Sequence, residues 1–220
     1  MFRSATTFLS ARAMAAQIDL TLFNTVTEGR ATILFPKNNE VFYNPVQQFN
    51  RDMSIAAIRT WSELYLKEKR DKVEKKKRNK THVQGESAIE PAEILDSSQA
   101  EKDYQPTHVD ATTESHAVNV TVKALSASGL RSIRYAKEIP NVRYIMANDL
   151  EQDAVDSIKR NVAYNGLSED LVRPNKGDAM AVMYSHREEG KRFDVVDLDP
   201  YGTASPFIDG AVQALSDGGK

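Results

Sequence analysis

From residue 119 onward, short apolar runs alternate with stretches whose apolar residues recur at steps of three and four. NVTVKAL reads as a strand, SASG as a tight turn, and LRSIRYAKEI as a helix stopped by Pro140. VRYIMA is a second strand that ends at Asn148 and Asp149. EQDAVDSIKRNVAYN follows as a helix with Ala154, Val155, Ile158 and Val162 on one face and Gly166 to close it. LVRP is a third strand, GDA its exit loop and AMAVMYSHR a short helix. RFDVVDL is a fourth strand and PFIDGAVQAL the helix after it. This alternation predicts a doubly wound, parallel α/β sheet with right-handed crossovers over residues 116–220. Three or four parallel strands leave an edge unpaired, so the sheet is expected to be incomplete at the carboxy terminus of the 220-residue chain.

Upstream the pattern is different. RATILF and EVFY, rich in β-formers, flank the turn formers PKNN and predict a hairpin between Glu28 and Tyr43. In the following segment Met53, Ala57, Trp61 and Leu64, with Ile58 and Tyr65 alongside, repeat at helical spacing. Asn50, Asp52 and Ser54 are the candidate caps. Residues 18–69 thus form a small hairpin-and-helix extension of the α/β core.

Charge breaks the chain between these parts. KEKRDKVEKKKRNK, residues 67–80, holds nine basic and three acidic residues, and Glu86 to Glu114 holds eight acids and one lysine. Neither stretch has enough apolar surface to offset its chain entropy, so residues 70–115 are expected to be a disordered insertion. KKKRNK fits a nuclear import signal, an RNA-touching patch or the solvated end of the preceding helix. Residues 1–17 carry Arg3 and Arg12, several hydroxyls and alanines and no acid, the composition of a mitochondrial leader, with Met14 as a second start. The chain is 40% apolar and 27% charged with a net charge of −2, and has no run long enough to span a membrane. It has no cysteine, and His82, His108, His116 and His186 match no ligand spacing, so no metal site is expected.

In an open α/β sheet the ligand binds beyond the carboxyl ends of the strands, and four features fall there. LSASGLRS offers small residues and a helix N-terminus. Asp149 stands 20 residues after Gly129, where an acid reaches ribose hydroxyls. The others are Asp178 in GDA and the loop DLDPYG. Gly129 also has a plain role in the turn, and Asp149 and Asp178 have plain roles as caps. A dinucleotide site wants three glycines around a pyrophosphate, and this turn has one. S-adenosylmethionine, with a ribose and an adenine but no phosphate, suits it better. DLDPYG then reads as the acceptor side. Asp199 and the Pro200 carbonyl can accept both N–H groups of an exocyclic base amine, and Tyr201 can stack on a flipped base. Asp197, two residues earlier on the same strand, supports Asp199.

FYNPVQQFNRD, LSASGLRSIRYAKEIPNV, ANDL, NVAYNG, GDA and DLDPYGTASPFIDGAVQAL together resemble the tRNA (guanine-26-N2)-dimethyltransferase family, from about Thr27 to Gly219 outside the insertion. The leader and basic run look like those of a fungal member made in mitochondrial and nuclear forms. The resemblance implies a Rossmann-like S-adenosylmethionine-dependent methyltransferase fold and successive transfer of two methyl groups to N2 of guanosine 26 in tRNA. It implies Arg51, Arg131, Asp149, Asp178 and Ala179 as cofactor contacts, Asp199, Pro200 and Tyr201 as the grip on the guanine amine, and Phe42 as a stacking partner of the target base. Without it, Phe42 reads as core and Arg51 as a helix-surface charge. The alternatives are a non-catalytic RNA-binding protein of this fold, against which an intact Asp199 speaks, and a nicotinamide-dependent oxidoreductase, against which the single glycine speaks.

Overall fold

The computed structural model of the chain describes residues 18–37, 43–83, 118–124 and 126–220. They divide into two compact units, one built from the chain up to Tyr65 and from Ala117 onward, the other from Leu66–His116. In the first unit an antiparallel ribbon of β1 (Phe23–Glu28) and β2 (Ala31–Pro36) accompanies a parallel sheet. The sheet consists of β3 (Val118–Ala124), β4 (Val142–Asp149), β5 (Val172–Lys176) and β6 (Val195–Leu198). Helix α1 (Gln48–Val83) belongs partly to each unit. Helices α2 (Leu130–Glu138), α3 (Gln152–Tyr164), α4 (Ala179–Ser185) and α5 (Ile208–Ala214) alternate with the strands as the pattern predicts.

The strand order is β5-β4-β3-β6. From β3 the chain winds through β4 to β5 and then returns to the other side of β3, so the winding reverses beside β3 and opens a crevice at the carboxyl ends of β3 and β6. Ile133, Ile145, Ile158, Val162 and Val172 lose nearly all solvent contact, each contributing about 1.5–3 kcal/mol relative to exposure. A second apolar cluster joins Ala179, Met183, Phe193, Ala211 and Ala214. At the outer edge of β6, Val196 N–H donates to the Lys220 carbonyl at 2.7 Å and Lys220 N–H to the Asp194 carbonyl at 2.9 Å. These bonds run as in a parallel ladder, so main chain meets that edge at Lys220, while β6 remains the edge of the incomplete sheet that was expected.

Four expectations are corrected upstream. RATILF pairs with the residues before it, not with EVFY. The register Glu28↔Ala31 leaves Gly29 and Arg30 as a two-residue turn, and Gly29, at φ 55°, supplies the left-handed conformation that such a turn needs. Residues 38–42, including most of PKNN and EVFY, lie outside the described residues. Helix α1 buries Arg51, Ile55, Ile58 and Ser62, whereas Met53 and Leu64 are 53% and 60% exposed. Its inward face is marked by an arginine and a serine, which an apolar count passes over. The cap is Asn44, whose side chain accepts from Val46 N–H at the 3-10 turn Pro45–Gln47 that leads into α1. The helix also runs to Val83, so the basic run is helical and the expected disordered insertion cannot begin at 70. Residues 84–117 lie outside the described residues.

The ribbon is fastened to the helices by charge. Glu28, 2% exposed, receives Arg51 Nε at 2.7 Å, Arg51 Nη2 at 2.5 Å and Arg134 Nη1 at 2.7 Å, with the Tyr43 hydroxyl donating at 3.1 Å. Arg134 also pairs with Asp52 at 2.6 Å and Glu138 at 2.9 Å. Burial alone would raise the pKa of Glu28, but the two guanidiniums outweigh it and hold it below the ordinary 4.5. Its stabilising contribution is therefore fully present above the unfolded value and is lost as pH falls through the depressed folded value. Glu28→Ala takes from the buried Arg51 its carboxylate partner and from Arg134 one of three, and should cost about 3–5 kcal/mol in urea denaturation. Glu28→Gln should flatten the acid limb of the stability–pH curve; an unchanged limb would mean that Glu28 does not titrate with folding.

Candidate active site

Three strand exits and the extension enclose a cavity of about 670 Å3. Its floor is the loop after β3. There Ser126 N–H donates to the Asn148 carbonyl at 3.0 Å and Gly129 N–H to the Ser126 carbonyl at 2.7 Å, which turns the chain sharply into α2. Gly129 sits at φ 80°, and a Cβ there would come within 3.3 Å of Ile158, so both conformation and packing require glycine. Ala127 adopts φ 45°, unfavourable for a residue with a Cβ, and its N–H is held by Asp149 Oδ2 at 2.9 Å.

Asp149 is buried at the end of β4, and its Oδ1 accepts from Glu151 N–H at 3.1 Å. An ionised carboxylate has about four acceptor positions. Two backbone donors therefore leave capacity towards the cavity, whose wall continues through Leu150 and Ala154. Asn148 spans the neighbouring exit, donating to the Gly177 carbonyl at 2.9 Å and accepting from Asn175 at 2.6 Å.

Asn161 of α3 and Asn165 at its carboxyl cap act on the outer edge of the ribbon. Asn165 accepts from Thr32 N–H at 3.0 Å and donates to the Thr32 carbonyl at 2.6 Å. Asn161 accepts from Leu34 N–H at 2.9 Å and donates to the Ser128 carbonyl at 2.8 Å. These side chains take the place of a third strand for β2, and Asn161 ties that edge to the cavity floor. The NVAYNG stretch reads in the sequence as a helix end and as one block of the family resemblance, with no role given to its asparagines. Asparagines at an i, i+4 spacing on the buried side of a helix were the available signal.

Across the cavity, β6 delivers Asp199, Pro200, Tyr201 and Gly202. Gly202 lies at φ 92°, and Tyr201 is 76% exposed. Arg131 joins the two sides. It is 5% exposed, follows the floor loop by two residues, and places Nε 2.9 Å from Asp199 Oδ2 as a close ion contact without hydrogen-bond geometry. Its Nη1 lies 3.4 Å from Asp197 Oδ2, 2.8 Å from Ser54 Oγ and 3.3 Å from the Tyr135 hydroxyl, which itself donates to Asp197 at 2.8 Å. Burial would lower the pKa of Arg131, but Asp197 and its neighbours raise it, so the guanidinium stays charged. Asp197 thus shares the Arg131 contact with Asp199.

Of the residues singled out in the sequence, Arg51, Arg131, Asp149, Asp199, Pro200 and Tyr201 line this one cavity. Arg51 is also the partner of Glu28 and reaches the Asn44 carbonyl at 3.1 Å. Asp178 and Ala179 are not among the lining residues. Asp178 caps α4, its Oδ1 accepting from Ala181 N–H at 2.8 Å, which is the plain role weighed for it. Phe42 lies outside the described residues. Phe35 and Tyr43, which sequence reasoning missed, give the extension's side of the wall, with ring centroids 6.3 Å apart.

Residues 22–220 match the family described as N2,N2-dimethylguanosine tRNA methyltransferase. The chain is 46% identical over 209 residues to the mitochondrial tRNA (guanine(26)-N(2))-dimethyltransferase of Saccharomyces cerevisiae, covering 93% of this chain and 35% of that protein. It is 48% identical over 198 residues to the corresponding enzyme of Schizosaccharomyces pombe, covering 88% and 35%. The chain thus spans about a third of the length of these relatives. Among solved structures it is similar to Trm1 from Pyrococcus horikoshii in complex with S-adenosyl-L-methionine, at TM-score 0.55 and 24% identity, covering 88% of this chain and 40% of that one. That likeness establishes a Rossmann-like methyltransferase fold.

Asn161→Ala leaves two buried main-chain groups, Leu34 N–H and the Ser128 carbonyl, without their side-chain partner, and should cost about 2 kcal/mol in urea denaturation. Ala127→Gly should be neutral or stabilising by up to about 1 kcal/mol, because it relieves the left-handed alanine. A destabilised A127G variant would show that the alanine side chain, not the backbone turn, is what the floor needs.

Proposed function

The chain belongs to the N2,N2-dimethylguanosine tRNA methyltransferase family, and from that premise we propose that it methylates N2 of guanosine 26 in tRNA twice, with S-adenosylmethionine as donor. The observation that carries this reading is that two chemically distinct sets of groups face each other across one cavity. The floor loop with Asp149 suits a nucleoside, and Asp199 with Pro200 and Tyr201 suits a base amine.

The residues fit the proposed cofactor by their chemistry. Asp149 would take the ribose hydroxyls, Leu150 and Ala154 the adenine, and the small residues Ser126–Gly129 would permit close approach of main chain to the amino-acid end. A cavity of about 670 Å3 suits a ligand of that size. When bound, the cofactor supplies an electrophilic methyl group. Asp178 and Ala179 are omitted from the proposed set because they lie off the cavity wall.

On the acceptor side, the lone pair of a guanine amine is delocalised into the ring and must be drawn out before it can attack. Asp199, an acceptor-only group when ionised, and the Pro200 carbonyl would each take one N–H and pull the nitrogen towards tetrahedral geometry. Tyr201, largely exposed beside them, would stack on the extruded base. As the new N–C bond forms, N2 gives up a proton, and Asp199 is the base in reach. Arg131 would keep that carboxylate oriented.

Two addresses belong to the same proposal: a mitochondrial leader in residues 1–17, which lie outside the described residues, and a nuclear signal within residues 67–80.

Calorimetry should detect binding of S-adenosylmethionine and none of NAD; binding of NAD alone would replace the reading with an oxidoreductase. Asp199→Ala should abolish dimethylguanosine, measured by nucleoside mass spectrometry, while cofactor binding stays within about threefold. Asp149→Ala should instead weaken cofactor binding by at least tenfold, about 1.4 kcal/mol. Wild-type levels of product from D199A would remove the proposed acceptor chemistry. Reporter fusions of residues 1–17 and 67–80 should reach mitochondria and nuclei respectively, and diffuse signal from either would refute that address.

A further inference from the structure

A second cavity, of about 480 Å3, lies at the amino end of β4, the length of that strand, about 25 Å, from the candidate active site. Arg30 from the ribbon turn, Arg59 from α1 and Lys137 from the last turn of α2 line it, with Glu138 as the one carboxylate among the lining residues. That carboxylate is already engaged. Its Oε1 accepts from Arg134 Nε at 2.9 Å and from Arg30 N–H at 3.0 Å, and its Oε2 from Arg134 Nη2 at 3.0 Å. A Cβ at Gly29 would collide with the Glu138 carboxylate and the Arg134 guanidinium, so glycine lets the turn press close enough for Arg30 N–H to reach Glu138. Main chain thus sets Arg30 at the cavity, and its Nη1 meets only the Lys137 carbonyl, at 3.5 Å. Lys137 Nζ donates to a neutral acceptor, Asn165 Oδ1, at 2.9 Å. Among the described residues, neither side chain has a carboxylate partner.

Arg59 is different, since it pairs with Glu63 at 3.2 Å. Arg30 and Lys137 are therefore the two cations left to the cavity. A lysine in the last turn of a helix complements the helix dipole, which is the plain account of Lys137. It does not account for a second cation brought from another element to the same cavity. Nor does it offset the desolvation of Lys137, which is half-buried and has its pKa lowered by burial with no carboxylate to counter it. Asn141 adds an amide to the same wall, from a turn that holds it at φ 62°. A guanidinium fork, an ammonium and an amide around one cavity suit an anion with several oxygens, above all a phosphate.

We propose that this cavity is a phosphate-binding site, with Arg30 as the fork and Lys137 as the point charge. It stands at the opposite end of β4 from the methyl-transfer cavity and is independent of the reading given to that one. Phosphate of this kind comes from two sources, the backbone of an RNA or a small phosphorylated compound, and the two differ in what competes for the site.

The test compares the full chain with two double variants of equal charge change, R30Q/K137Q at the cavity and R187Q/K191Q at exposed positions that do not line it. Binding of inorganic pyrophosphate is measured by calorimetry, and of an unmodified tRNA transcript by fluorescence anisotropy from about 50 to 200 mM KCl, both without cofactor. Wild type should bind pyrophosphate, R30Q/K137Q should bind it at least about tenfold more weakly, and R187Q/K191Q should stay within about threefold of wild type. R30Q alone, a change at an exposed side chain, should lose about threefold, so that a folding defect in the double variant cannot imitate the result. If R30Q/K137Q also weakens tRNA about tenfold, with a slope of log K against log salt shallower by about 1–2, the site serves RNA backbone. Unchanged tRNA affinity beside lost pyrophosphate binding assigns it to a small phosphorylated compound. No binding of pyrophosphate by wild type, or equal losses in the two double variants, would overturn the proposal. Because no turnover is measured, a failed phosphate site leaves the methyl-transfer reading intact, and a failed D199A experiment leaves the phosphate site intact.

Discussion

Glu28 is a carboxylate with almost no access to water, and its position is tolerable only because Arg51 and Arg134 both reach it. A lone buried carboxylate would cost several kcal/mol and would sooner take up a proton. The three charges therefore impose a geometric condition. The end of β1, the first turn of α1 and the middle of α2 must meet at one point, because no other arrangement satisfies all of them. A well-packed apolar cluster could hold the same elements with equal strength. What the charge cluster adds is a unique orientation for the ribbon, since guanidinium forks engage a carboxylate along defined directions.

That orientation decides what the cavity is made of. Arg51 lines it while holding Glu28, and Tyr43 lines it while donating to the same carboxylate. On the far edge of the ribbon, Asn161 and Asn165 bind the β2 backbone, and Asn161 continues to the Ser128 carbonyl in the floor. The extension is thus fixed along both edges, by charge on one and by side-chain amides on the other. Without it the sheet would present an open crevice; with it, the crevice has a third wall.

The alternation of strands and helices after residue 118 was legible because each element has a strong period of its own and a distinct stop, such as Pro140 or Gly166. The strand-exit acids were legible for the same reason, since their place follows once the strands are placed. The ribbon was misread by pairing RATILF with the wrong neighbour. Phe23–Glu28 is largely polar and buries only Glu28, so it carries little of the apolar alternation that marks a strand. The inward face of α1 was misread because its anchors are Arg51 and Ser62, whose burial depends on partners more than 20 residues away or on the local backbone. Arg131 was assigned to the cofactor by resemblance alone. Its contacts with Asp197 and Asp199 depend on the β3–β6 adjacency, which no local pattern announces.

Arg131 bears on whether the two sides of the cavity act separately. Asp149 holds the Ala127 amide, Gly129 turns the chain two residues later, and Arg131 lies two residues beyond that, against Asp199. From the carboxylate at the end of β4 to the carboxylate after β6 runs one continuous path of five residues and two polar contacts. The floor turn is tight, with Ala127 and Gly129 both left-handed, so it has little slack to absorb a displacement at either end. One short stretch of backbone is therefore in contact with a carboxylate at each end of the cavity. The geometry ties the Asp149 end of the cavity to the Asp199 end through the backbone of one loop.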